Sequence, residues 1–211
     1  MFKKKFFIVF EGIEGSGKSF QSKKLYDVLK KKYNTIITRE PGGTKSSELI
    51  RNLILKDYFN NKKGEKFDKY TDTLLYLAAR NEHVLNKIKP ALKEKKIVIC
   101  DRFIDSTSAY QVYGKKVDET FIKNIHKKIL YNVRPDITIL LKVNIKKAIL
   151  RVKKRRFKNR YDKLSKSFYR SAQNAFIKIA KKSKNHYIFD SSNDDNVLEN
   201  QIISLISKKL K

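Results

Sequence analysis

The residues from Gly12 to Ser19, GIEGSGKS, set two glycines five positions apart directly before a lysine and a serine, the G-x-x-x-x-G-K-[ST] pattern. Such a loop is suited to holding phosphate. Its glycines let backbone N–H groups turn inward around phosphate oxygens, and a helix that begins near Lys18 aims the positive end of its dipole at the same anion. On this reading Gly12, Ile13, Glu14, Gly15, Ser16, Gly17, Lys18 and Ser19 wrap the phosphates of ATP. Lys18 reaches the β- and γ-phosphates as a point charge, and the Ser19 hydroxyl suits Mg²⁺, a hard cation that prefers oxygen. A carboxylate for the same cation is expected at Asp101, which closes the apolar run Ile97 to Cys100. Taken alone, an aspartate at the end of an apolar strand is as good a helix cap as a metal ligand. Beside a phosphate loop the metal role is expected.

Several elements must hold these residues. Apolar runs predict strands at Phe6 to Phe10, Ile36 to Thr38, Ile97 to Cys100, Ile137 to Val143 and Tyr187 to Phe189. Helical periodicity places helices between them, at Lys18 to Lys31, Lys45 to Leu55, Thr71 to Ile88, Thr107 to Tyr113, Glu119 to Tyr131, Ile145 to Lys154, Ser165 to Lys182 and Asn196 to Lys209. This alternation predicts an α/β, doubly wound, five-stranded parallel sheet with helices on both faces, a P-loop NTPase fold. Ligands in such sheets sit at the carboxyl ends of the strands. There the chain places the loop, then Arg39 to Thr44 (REPGGT), then Asp101-Arg102-Phe103.

With 211 residues the chain suits one domain, 1–211. It has no 18-residue apolar run, and its apolar N-terminal segment leads straight into the loop, so no membrane span or removable leader is expected and the protein reads as cytoplasmic. A single cysteine excludes an internal disulfide framework, and with three histidines no Cys/His zinc spacing can be assembled. The balance of 50 Lys and Arg against 21 Asp and Glu, +29 in all, favours polyanions, nucleic acid or nucleotide phosphates. The excess is lysine spread over nearly every helix, whereas a nucleic-acid reader concentrates it in a patch, so a nucleic-acid partner is not expected.

No N-K-x-D segment marks a GTPase, and nothing remains for the extra domains of a motor or transporter. A small phosphotransferase with two phosphorylated or phosphorylatable ligands remains. From Lys142 to Lys184 stand 17 Lys or Arg against one acid, Asp162. Within this stretch RVKKRRFKNR reads either as a solvated face or as a lid, at about 151–162, whose arginines close over the transferring phosphoryl group and exclude water. The lid is the expectation.

Together these residues resemble the thymidylate kinases, nucleoside-monophosphate kinases that make dTDP from dTMP and ATP. The likeness runs nearly the whole chain through FEGIEGSGKS, TREPGGT, LLYLAARNEHV, VICDRFIDSTSAYQ, RPDITILLKV and FDSS. TREPGGT and DRFIDSTSAYQ are the most specific of these. The resemblance implies ATP and Mg²⁺ as cofactors and dTMP as acceptor, bound by Glu14 near the sugar 3′-OH, Arg51 and Arg102 at the phosphates, Tyr76 stacked on the base, Arg80 at a base carbonyl, and Ser106 and Gln111 at the base edge. It implies catalytic roles for Lys18, Arg102, Arg155 and Arg160, with Arg151 or Arg156 as alternatives in the lid, since Gly15 and Ser16 leave the loop without the arginine that some members carry there. It further implies a cis peptide before Pro41 and a homodimer formed through helices beside the acceptor site. Asp190-Ser191-Ser192 would cradle adenine or make a capping turn. Ser171, Gln173 and Val112 depart from the family's pattern. Two other readings stay open: the same fold with another nucleotide or a nucleoside as acceptor, and a nucleic-acid-binding protein that uses the loop as an ATP switch.

Overall fold

The computed structural model describes residues 1–56, 66–154, 162, 165–193 and 196–210. Among these, five strands pair in parallel in one sheet: β1 Phe6–Glu11, β2 Thr35–Arg39, β3 Ile97–Asp101, β4 Ile137–Lys142 and β5 His186–Asp190. Their order is β2-β3-β1-β4-β5. The chain therefore steps to one side of β1 first and to the other side later, which opens a crevice at the carboxyl end of β1. Register sets Phe10 opposite Asp101, and Asp101 opposite Arg39, along that edge.

Strands buried on both faces read as continuous apolar runs, and alternation along them decides which side chains meet which helices. On one face Ile8, Phe10, Ile97, Ile99, Ile139 and Leu141 pack with Leu25 and Leu29 of α1 (Lys18–Leu29) and with Leu198, Ile202 and Ile206 of α9 (Val197–Leu210). The other face divides. Phe7, Val9, Val98 and Cys100 meet Val84, Ile88 and Leu92, while Leu140 and Val143 lie under α7 (Ile145–Lys153) and α8 (Lys166–Lys181). The remaining helices are α2 (Lys45–Leu55), α3 (Lys69–His83), α4 (Lys89–Lys93), α5 (Ile104–Thr107) and α6 (Glu119–Ile129).

Two helices differ from their expected bounds by more than two residues at an end. The helix expected at Thr71 to Ile88 begins at Lys69 under an Asp68 cap, widens to a π-helical turn at Val84–Ile88 and continues through α4 to Lys93. Pro90 does not stop it, because the proline falls in the first turn of α4, where its missing N–H is not needed. The helix expected at Thr107 to Tyr113 starts earlier, at Ile104, and its second half is a π-helical turn, Ser108–Gly114. Its start is fixed by Glu11, whose Oε1 accepts the N–H groups of Phe103 (2.8 Å) and Ser106 (3.1 Å). A cap supplied from 95 residues away leaves no mark in the local pattern.

Candidate active site

The phosphate loop closes on itself. Gly12 (φ 140) and Gly15 (φ 75) occupy the left-handed half of backbone space, and a Cβ on them would stand 2.5 Å from the Leu141 carbonyl and 2.3 Å from that of Ala148. Only glycine fits such approaches. Lys18 lies buried and folds back over the loop, donating to the Ile13 carbonyl at 2.8 Å. Burial, with Arg102 beside it, pulls its ammonium down to about 8 against the opposing pull of Asp101, Glu14 and Glu11. A bound phosphate would replace the carbonyl and draw that value back up. Ser19 follows at the start of α1, and its hydroxyl donates to Asp101 Oδ2 at 2.5 Å.

The serine–aspartate pair fits Mg²⁺. Both are hard oxygen donors at the phosphate end, and among the described residues no three His, Cys, Asp or Glu side chains gather to cage a metal. A cation there would take its other oxygens from phosphate and water, as Mg²⁺ does in phosphotransferases.

A cavity of about 170 Å³ opens beside the loop, larger than the ~150 Å³ that holds a benzene ring in an apolar core. An aromatic base is of that order. Its walls bring together Glu14, Lys18, Ser19, Arg51, Tyr76, Arg80, Asp101, Arg102, Ser106 and Gln111, all expected from sequence, with Arg39, Glu40, Thr107 and Tyr110 among the others. Local structure explains the placements. Thr44 caps α2 by accepting the Ser47 N–H, which aims Glu48 and Arg51 back at the turn. Glu48 accepts the Gly43 N–H at 2.8 Å and pairs with Arg39, and Arg51 donates to the Pro41 carbonyl at 2.5 Å. The Glu40–Pro41 peptide is cis, as expected. Tyr76 and Arg80 stand one turn apart on α3.

Arg102 is the hub. It takes a left-handed backbone (φ 75), which costs a side-chain-bearing residue roughly 1–2 kcal/mol. The conformation turns its guanidinium back over the loop, where it donates to the Gly12 carbonyl (2.9 Å), Ser106 Oγ (3.0 Å) and Glu14 Oε1 (2.9 Å). Tyr110 completes the cluster: its hydroxyl donates to Glu14 Oε2 at 2.6 Å, and its ring lies 5.2 Å beneath Arg102. Glu14 is therefore shared between a cation and a phenol at the edge of the cavity.

Arg80 is held on every side. Its guanidinium reaches Glu40 Oε2 (2.7 Å), Thr107 Oγ1 (2.6 Å), His126 Nε2 (2.8 Å) and the Phe103 carbonyl (2.8 Å). Burial alone would raise the Glu40 carboxyl, but Arg80 and His83 overcome it and hold it below the usual range. His83 lies 3.1 Å from Glu40 Oε1 through Nδ1 and 2.7 Å from Thr38 Oγ1 through Nε2. His126 is driven down to about 3 by burial, then by Arg80 and Arg134, so it faces Arg80 as a neutral acceptor. Gln111 differs: it is 2% exposed, and its Nε2 meets no partner among the described residues. A buried amide without a partner is a site where a ligand gains a hydrogen bond that the free protein forgoes.

Four residues escape a reading of local pattern. Tyr110 reads as core, and its position eight residues after Arg102 in one motif is the signal that could have marked it. Thr107 and Glu40 sit within quoted motifs yet carry no spacing rule. Glu11 reads as the end of an apolar strand and is 1% exposed; burial, then Asp105, pushes its carboxyl up to about 8 against Arg102 and its own hydrogen-bond donors. Arg155, Arg160 and Arg156 lie outside the described residues. Arg151 bridges the Gly15 and Ser191 carbonyls at 3.2 and 2.9 Å, joining the phosphate loop to the turn after β5. In that turn the Ser192 N–H donates to Asp190 Oδ1, and Ser192 Oγ accepts the Asn144 N–H.

Comparison with known proteins agrees with this arrangement. The family model described as thymidylate kinase matches residues 10–202. Proteins named thymidylate kinase from Wolbachia pipientis subsp. Culex pipiens and from aster yellows witches'-broom phytoplasma are each 41% identical, over 97% of this chain and 97% and 96% of their own lengths. The crystal structure of thymidylate kinase from Ehrlichia chaffeensis superposes with a TM-score of 0.75 at 35% identity, covering 99% of this chain and 100% of the other. A phosphate loop facing an arginine-lined cavity, the same sheet and similarity along the whole chain agree: the chain belongs to the thymidylate kinase family.

Proposed function

We propose that this protein transfers the γ-phosphoryl group of ATP to dTMP, giving dTDP and ADP. One observation carries the reading: a single cavity is lined by Lys18 of the phosphate loop with the Ser19–Asp101 oxygen pair, by four arginines (Arg39, Arg51, Arg80 and Arg102) and by the aromatic rings of Tyr76 and Tyr110. Such a lining suits two phosphorylated ligands that meet at the loop. The acceptor needs no catalytic base, because a nucleoside monophosphate, with a second pKa near 6, is mostly a dianion at neutral pH. What the protein supplies is alignment of two anions that repel each other, and positive charge where negative charge grows.

The roles follow from position. Gly12 to Ser19 cradle the ATP phosphates, and Lys18 and Arg102 neutralise charge on the transferring group. Ser19 and Asp101 would hold Mg²⁺, which would supply further charge neutralisation. Arg51, with Arg39 across Glu48, grips the acceptor phosphate. Glu14, held by Arg102 and Tyr110, receives the sugar 3′-OH and so favours deoxynucleotides. Tyr76 stacks on thymine. Ser106, Arg80 and Gln111 stand at the base edge, Ser106 and Arg80 largely committed to protein partners and Gln111 with an amide to spare. The basic segment at about 151–162 closes as a lid, Arg155 or Arg160 reaching the phosphoryl group. The single domain works in the cytoplasm as a homodimer paired through α3 and α6, whose exposed apolar residues include Tyr70 and Leu74. Among the described residues no helix is long and apolar enough to cross a membrane.

ADP release with ATP, Mg²⁺ and each nucleoside monophosphate in turn tests the proposal. Turnover with dTMP, far above that with the ribonucleotides and dCMP and abolished in Lys18→Ala, supports it. Inert dTMP beside a rapid alternative acceptor, or ADP release stimulated by nucleic acid, refutes it.

A further inference from the structure

From the hydrogen-bond geometry under Arg102, we infer that Glu11 is a positioning residue for phosphoryl transfer, acting on Arg102 through the Ser106 hydroxyl. The inference rests on the proposed reaction and on the placement of Arg102 at the transferring group. Three donors converge on the buried Glu11 carboxylate: the Phe103 and Ser106 N–H groups on Oε1, and the Ser106 hydroxyl on Oε2 at 2.6 Å. The two N–H bonds fix the turn that follows Arg102. The third fixes a proton.

An arginine nitrogen can only donate, so Ser106 Oγ must present a lone pair to Arg102 Nη1 at 3.0 Å. Its one proton then points elsewhere, and Glu11 Oε2 is the acceptor that receives it. The carboxylate thereby sets the direction of the serine hydroxyl, and the hydroxyl helps to set the guanidinium fork, whose remaining contacts are to Gly12 and Glu14 in the phosphate loop. Glu11 ends β1, so the strand that carries the loop also aims the arginine from beneath.

A glutamine of the same shape cannot serve. With its carbonyl toward the two backbone N–H groups, its amide donates to Ser106 Oγ, both serine lone pairs then face donors, and the serine proton has lost the acceptor that oriented it. With the amide reversed, its NH₂ meets the Phe103 and Ser106 N–H groups. Either way part of the support of Arg102 is lost, and a displacement on the order of 1 Å at a transferring group costs up to about a hundredfold in rate.

The test is a set of variants assayed for ADP release at saturating dTMP with varied ATP, at pH 9, above the value of about 8 to which burial pushes Glu11. Glu11→Gln is expected to lower kcat about tenfold to a hundredfold with KM for ATP within about twofold of the parent. Ser106→Ala is expected to lower kcat in the same direction. In an Arg102→Ala background Glu11→Gln should cost no further kcat, since the group it positions is gone. A purely structural Glu11 predicts an equal added loss in that background, and that result, or Glu11→Gln with kcat within about twofold of the parent, overturns the inference. Should Glu11→Gln fail to fold, Ser106→Ala with and without Arg102→Ala decides on the same criterion. The parent's turnover with dTMP separates the cases: inert parent protein overturns the proposed reaction, while an active parent without the coupling overturns only the role of Glu11.

Discussion

Lowering the pH from 7.5 to 5 should cost this protein up to about 2 kcal/mol of stability through His126 alone. His126 accepts from Arg80, a permanent cation, at 2.8 Å, so a proton on Nε2 would set N–H against N–H and charge against charge. Burial, Arg80 and Arg134 together hold its pKa near 3 rather than 6.5. The sign follows from proton counts: between these values the unfolded chain binds a proton that the folded chain refuses, so stability is present above 6.5 and is lost as pH falls toward 3. With the unfolded group at about 6.5, the loss between pH 7.5 and 5 is 1.36 kcal/mol times about 1.5 logarithmic units, or about 2 kcal/mol. Urea unfolding of the parent and of His126→Gln at both pH values isolates the effect, because other groups titrate in both proteins. The glutamine keeps a carbonyl acceptor for Arg80 and binds no proton. The stability gap between the two proteins should shift by about 2 kcal/mol in favour of the variant at pH 5. An unchanged gap would refute the neutral, Arg80-facing histidine.

Three further outcomes follow from the site. A Cβ on Gly43 would stand 2.5 Å from Thr38 Oγ1 and 2.6 Å from His83 Nε2, whereas one on Gly17 meets nothing within 4 Å, and both backbones are left-handed. Gly43→Ala should therefore cost about 1–3 kcal/mol more than Gly17→Ala in thermal unfolding; equal losses would deny the steric wall behind the turn. Gln111→Leu should raise KM for dTMP about tenfold while leaving thermal stability intact, since the amide nitrogen it removes has no partner among the described residues; a drop in melting temperature with KM unchanged would contradict this. Asp101→Asn should raise the Mg²⁺ concentration for half-maximal activity about tenfold to a hundredfold, and an unchanged Mg²⁺ titration would remove Asp101 from the cation site.

The parts of this site that stand at fixed spacing were legible from sequence. GIEGSGKS forms its loop from residues adjacent in the chain, Tyr76 and Arg80 share a helix face, and apolar runs mark the strands. Glu11, Glu40 and His126 were not legible in their roles. Their partners lie from 40 to 95 residues away, and what they do depends on which of several polar side chains a neighbouring element presents. The same cause hid how completely Arg80 is engaged: its spacing from Tyr76 placed it at the cavity, but Glu40, Thr107 and His126 reach it from the turn after β2, from α5 and from α6. The helix start was missed by three residues at Ile104, where the cap comes through space, and read correctly at Lys45, where Thr44 caps it locally.

The most direct measurement mixes ATP labelled in its γ-phosphoryl group with dTMP, Mg²⁺ and the protein, and follows where the label goes. Transfer to dTDP with little released as inorganic phosphate, lost in Lys18→Ala, is the predicted result. Label that appears as inorganic phosphate whether or not dTMP is present would contradict the account, leaving a phosphate loop that hydrolyses ATP and a cavity with some other use.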